Sequence, residues 1–186
     1  MRALGEADDS LLFAAAETFG RQGYAATSVD EVARLAGVGR GAVHHRYGTK
    51  SALFRSALVF RQRRLAERFV SASSVRIGWD ALRAGCAVML DAYRDAGVRR
   101  MLLIDGPAVL GPEQLRAVED AYVGDLLRRG LQQATGDRDV EARLSVLRGA
   151  LAEAGLLLAR DPAALGALER EIESLLDAFQ RNPAPA

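Results

Sequence analysis

One cysteine, two adjacent histidines, a single lysine and few aromatics stand among 186 residues, and each scarcity excludes something. With Cys86 alone no intrachain disulfide can form, which fits a reducing compartment, and its place in an apolar helical run marks a packed core thiol. His44 and His45 are neighbours, so they point to different helix faces and cannot share a metal as an i, i+4 pair can. No metal and no cofactor are expected. Glycine-rich phosphate loops and G-x-S-x-G are missing, so no catalytic residues are expected and the chain does not read as an enzyme. No stretch reaches the roughly 18 apolar residues that span a membrane. Asp8 and Asp9 precede the short run LLFAAA in place of a basic secretory leader, so the expected location is cytoplasmic, with no membrane partner. Alternating β-branched runs are scarce, while Ala, Leu, Arg and Glu recur at helical spacing; the expected fold is all-α.

What is present is concentrated between Thr27 and Leu53, TSVDEVARLAGVGRGAVHHRYGTKSAL. Ser28 with Glu31 three residues on is a capping box, placing a helix over 29–35. Gly37 sits where the chain must turn, with a positive φ expected. Val38 and Val43 anchor a second short helix over 39–45 against Val32 and Ala33. Such a pair is a helix-turn-helix, whose second helix enters the major groove of DNA. Gly39 and Gly41 each cost about 1 kcal/mol relative to Ala inside a helix, and in return allow close backbone approach. Arg40 is left as the long outward side chain, able to bond guanine O6 and N7 bidentately. From Gly39 to Arg68 eight basic residues face one acidic residue, Glu67, although the whole chain carries only +1. That is the footprint of a phosphate-binding surface.

The segment VDEVARLAGVGRGAVHHRYGTKSALF resembles the DNA-binding signature of the tetracycline-repressor (TetR) family. Ala15, Phe19, Gly23, Tyr24, Thr27, Ala33, Gly37, Val38, Gly41, Tyr47, Lys50 and Leu53 fall in register with it. Gly39, His44 and Arg46 stand where the family more often has Ser, Tyr and His or Tyr. The resemblance implies a homodimeric regulator, more often a repressor, that binds double-stranded operator DNA and responds to a small organic effector. It implies phosphate contacts from Thr27, Ser28, Tyr47 and Lys50, with His45 facing DNA and His44 its backbone. Gly39, Arg40, Gly41 and Ala42 complete the expected DNA set. For Thr27 and Ser28, helix capping is an equally good explanation. A DNA-binding module without an effector is the rival reading.

The expected division is 1–53 for DNA and 54–182 for a larger helical effector-binding and dimerisation domain. Residues 1–8 read as a loose arm, and a first helix from Asp9 or Ser10 to Gln22 buries Leu12, Ala15, Ala16 and Phe19. Thr49 caps a fourth helix to about Ser71, where SASS reads as a break. Another helix runs from Trp79 to Ala96. Asp105-Gly106-Pro107 is expected to interrupt an apolar segment, with Pro107 in the first turn of a helix capped by Asp105 or Gly106, and Gly111-Pro112 to restart another helix running to about Ala134. Trp79, Met89, Tyr93, Met101, Asp105 and Tyr122 are candidates to line an effector cavity, each set against a plain core role or, for Asp105, a cap. Glu153 is either a buried carboxylate facing a ligand or exposed on the outer face of its helix. After Asp161-Pro162, a cap and first-turn proline, the last helix begins. Leu144, Leu147 and Leu151 on the penultimate helix, with Leu168, Ile172, Leu175 and Phe179 on the last, form stripes expected at a dimer interface. The stretch NPAPA reads as a frayed tail.

Overall fold

The computed structural model describes residues 2–182, with side chains described for 9–182. Ten α-helices and no strand are found among these residues. The expected frayed tail falls largely on 183–186, outside the described residues.

Helix α1 (Arg2–Gln22) starts earlier than Asp9, so the 2–8 segment is helix and not an arm. Its buried stripe is Leu11, Ala15, Ala16 and Phe19; Leu11 replaces Leu12, and Phe13 points outward at 56% exposure. Helix α2 (Val29–Leu35) opens at Ser28, whose hydroxyl accepts from Asp30 N at 3.2 Å. Glu31 turns to accept from Gln22 at 2.8 Å. Gly37 has φ 68°, as the sharp turn requires, and α3 (Arg40–Tyr47) follows. Thr49 Oγ1 accepts from Ala52 N at 3.1 Å and opens α4 (Lys50–Ser73). Helix α4 runs two residues past the expected Ser71 and ends at Ser73, inside the SASS stretch, where the Ser73 hydroxyl donates back to Phe69 O at 2.9 Å.

Beyond α5 (Gly78–Ala92), a short α6 (Ala96–Arg99) passes into a π-helical turn, Arg100–Asp105, and then α7 (Gly106–Asp120). Asp105-Gly106-Pro107 is therefore helical and no interruption: Pro107 lies in the first turn of α7, where its missing N–H costs nothing. The kink lies at Gly111, with φ 77° and ψ 164°, a conformation essentially reserved for glycine. The helix expected to reach Ala134 instead stops at Asp120, and α8 (Val123–Thr135) begins after Tyr122. Gly136 at φ 78° ends α8. Helix α9 (Glu141–Arg160) and α10 (Leu165–Arg181) flank a 3₁₀ turn that Asp161 caps by accepting from Ala163 N at 3.0 Å.

These helices gather into two compact units. The first comprises residues 1–62 with 96–118, so the helix-turn-helix shares a core with α6, the π turn and α7. Phe19, Phe54 and Tyr24 form its aromatic centre, with Phe19 and Phe54 edge to face at 5.1 Å. The second unit, 63–95 with 119–186, packs α5, α8, α9 and α10 around Leu82, Leu127, Leu131, Leu147 and Leu151. Arg83 ties α5 to α10 through Glu173 and Asp177, each at 2.7 Å. No described helix is long and apolar enough to cross a membrane.

Candidate nucleic-acid interface

Val43 is buried, and its burial sets the phase of α3: Arg40, Gly41, Ala42, His44 and His45 are all exposed. A face built of one arginine, two histidines and small residues lets backbone and side chains approach a groove together. The Arg40 side chain is 76% exposed, and its Nε pairs with Asp30 Oδ1 at 3.0 Å. Asp30 was not legible as a site residue, since nothing in the spacing joins it across the turn to Arg40. Ser28 and Gly39 are exposed at the N-terminal ends of α2 and α3.

Tyr47 and Lys50 are half-buried and share a cleft of about 200 Å³ with Arg40, Val43 and His44. Lys50 Nζ donates to Ala25 O at 3.0 Å and lies 4.7 Å from the centre of the Tyr24 ring. Tyr24, which the sequence pattern marks only as in register, thus supports Lys50 directly. The Arg46 guanidinium lies 5.8 Å from the Tyr47 ring centre.

Thr27 does not belong in the phosphate-contacting set. It is 3% exposed, its hydroxyl donates to Gly23 O at 2.8 Å, and its N–H also returns to Gly23 O. The basic footprint is likewise smaller than the sequence count. Arg61 pairs with Glu17 at 2.7 Å and Arg68 with Asp91 at 2.7 Å, while Arg63 and Arg64 flank Glu67. Acids from other helices supply the balance that a local count leaves out. The end nearest α3 carries Arg40, paired with Asp30, together with Arg46, Lys50 and exposed Arg55.

Of the effector candidates, Tyr122 alone lines a described groove. This groove of about 480 Å³ lies in the second unit between Ala66, Glu67 and Val70 of α4 and Asp125 and Leu126 of α8. Met89 and Tyr93 are core residues of that unit, 7% and 4% exposed; burial pushes the Tyr93 phenol up. Trp79 is half-buried and lines no described pocket. Met101 is fully buried in the first unit, and Asp105 there accepts from Tyr24 N at 2.8 Å, so its carboxylate is committed to the fold. Glu153 is exposed on α9. Burial pushes the Cys86 thiol up to about 12, in keeping with a packed, unreactive core residue.

The interface stripes also need correction. Leu144, Leu147, Leu151 and Ile172 are at most 5% exposed within the single chain and pack its own core, so they cannot meet a partner. Leu168, Leu175 and Phe179 remain half-exposed. The outward face of α9 carries Val146 at 54% and Leu157 at 39% exposure.

Comparison with known proteins agrees with this geometry. The sequence matches the family described as bacterial regulatory proteins, tetR family, over residues 11–57. It matches the tetracyclin repressor-like C-terminal domain over 79–180. The HTH-type transcriptional regulator SrpR of Pseudomonas putida is 27% identical over 154 residues, covering 77% of this chain and 71% of that protein. A TetR-family transcriptional regulator from Pectobacterium atrosepticum is 27% identical with a TM-score of 0.65, covering 98% of this chain and 97% of its own. The regulator FadR from Bacillus subtilis, solved in complex with stearoyl-CoA, shares the fold at a TM-score of 0.73 and 17% identity, over 90% of this chain and 96% of that one.

Proposed function

The chain belongs to the TetR family of transcriptional regulators, and we propose that it is a cytoplasmic repressor that binds a palindromic operator as a homodimer and is released by a small organic effector. The observation that carries this reading is the face of α3, where Arg40, His44 and His45 stand exposed over a buried Val43 beside Lys50 and Tyr47. In this division of labour residues 1–53 hold DNA, and 54–182 bind the effector and the second subunit. Arg40 leaves Asp30 to bond a guanine, an inexpensive exchange because exposed ion pairs are worth about 0–1 kcal/mol. Ser28, Tyr47 and Lys50 hold phosphates, while Gly39, Gly41 and Ala42 let the backbone close on the groove.

The effector occupies the groove at Tyr122. Its volume of about 480 Å³ lies within the range of small-molecule sites. Ala66, Val70, Ala121 and Leu126 offer an apolar floor, with Tyr122 and the charged Arg63, Glu67, Asp125 and Arg129 also lining the groove. Helix α4 is uninterrupted and carries Lys50 at its start and the groove residues from Arg63 to Ser71 near its end. A ligand that shifts α4 therefore moves the DNA-binding end without unfolding it. Coupling of about 1–3 kcal/mol lowers operator affinity roughly 5- to 150-fold. The dimer forms through the outward faces of α9 and α10, using Val146, Leu157, Leu168, Leu175 and Phe179.

Selection of bound fragments from a random duplex library tests the reading. The expected result is an inverted repeat whose half-site centres lie about 34–36 Å apart, one turn of DNA. Recovery of fragments without any shared inverted repeat overturns it.

A further inference from the structure

The π turn of the first unit makes contacts that a mere connection would not need. Arg100 Nη1 donates to Arg21 O at 2.7 Å and reaches Gly20 O at 3.5 Å, satisfying carbonyls left open at the C-terminus of α1. Asp105 Oδ2 accepts from the backbone N–H of Tyr24 at 2.8 Å. Between these contacts lies Gly23, at φ 85°, where an added Cβ would touch both Arg100 and Asp105. Residues five apart point about 140° away from each other on an α-helix with its 3.6-residue turn. The wider turn of a π-helix brings Arg100 and Asp105 to one side, so both grip the same short bend. The backbones are close as well: a Cβ on Gly20 would sit 2.9 Å from Gly97 Cα.

The gripped bend is the support of Lys50. Ala25, next after Tyr24, accepts the Lys50 ammonium through its carbonyl at 3.0 Å, and the Tyr24 ring faces that ammonium at 4.7 Å. The ring is fixed in turn by Phe54, edge to face at 5.3 Å, and by Phe19 at 6.0 Å. We propose that Arg100 and Asp105 are positioning residues of the DNA surface: by pinning the Gly20–Tyr24 bend they set where the Lys50 ammonium meets a phosphate. This rests on the reading above, in which Lys50 binds DNA.

The test measures binding of a random-sequence DNA duplex against salt concentration, with the full chain and with thermal melting as a check on folding. Each phosphate contact contributes about −0.9 to the slope of log affinity against log salt. Lys50→Ala is expected to flatten the slope by about that amount, and Asp105→Ala or Arg100→Gln to flatten it similarly in protein that remains folded. The double variant Lys50→Ala/Asp105→Ala is expected to be no flatter than Lys50→Ala alone. Asp105→Asn, which keeps an acceptor for Tyr24 N–H, restores the wild-type slope. A lowered melting temperature with an unchanged slope for both Asp105→Ala and Arg100→Gln would overturn the positioning role. So would a double variant whose loss equals the sum of the two. If Lys50→Ala itself leaves the slope unchanged, the underlying assignment of Lys50 to DNA fails instead, and the proposal falls with it.

Discussion

At Gly41 the free protein gives no reason for a glycine. An added Cβ would meet nothing within 4 Å, and the φ angle does not lie in the left-handed region. A glycine there still costs up to about 1 kcal/mol of helix propensity relative to Ala. The sacrifice makes sense where something outside the chain needs the space, as a DNA backbone or base edge does. Gly41→Ala is therefore expected to raise stability by up to about 1 kcal/mol in thermal or denaturant unfolding, while weakening operator binding in the same preparation. Gains in both would mean that α3 does not approach DNA closely at this residue. Thr27 teaches the converse: a hydroxyl in register with a DNA-contacting position is spent on Gly23 O, and only its 3% exposure reveals this.

Among the helices, the two faces of α9 separate the core from an outward surface on which the proposed dimer contact would lie. Leu144, Leu147, Leu151 and Leu158 fill the subunit, while Val146 and Leu157 face out on another stripe. Val146→Glu with Leu157→Arg is expected to give a folded monomer in sedimentation, with far-ultraviolet circular dichroism unchanged. Ile172→Glu, which drives a charge into a site only 5% exposed, is expected to unfold the chain. A dimeric Val146/Leu157 variant would place the contact elsewhere. Helix ends were legible wherever a local device marks them: Ser28, Thr49 and Asp161 cap through their side chains, and Gly37 and Gly136 turn through a positive φ that the missing Cβ permits. The Asp105-Gly106-Pro107 stretch was legible only in part: Pro107 lies in the first turn of α7 as its fixed φ suits, but Asp105 closes a π turn where a break was expected. Periodicity found the stripes of α9 and α10, but a stripe of leucines reads the same whether it faces its own core or a second subunit. Burial alone distinguished Leu147 from Val146.

For the molecule as a whole, the recognition face was legible because its residues lie within one run of about twenty-five. The groove at Tyr122 was not, since it joins α4 to α8 from segments some fifty residues apart in sequence. The same limit hid the ion pairs that neutralise Arg61 and Arg68. The proposed regulator, reading DNA through α3 and answering to an effector in the α4–α8 groove, depends first on that reading being sequence-specific. The most direct measurement compares Arg40→Ala with wild type on the selected operator and on random duplex at one salt concentration. The account predicts a loss of about 1–3 kcal/mol on the operator, relaxed preference at one position in each half-site and little change on random DNA. Equal losses on both duplexes would contradict it, leaving Arg40 a phosphate contact and the specificity of this protein to be sought elsewhere.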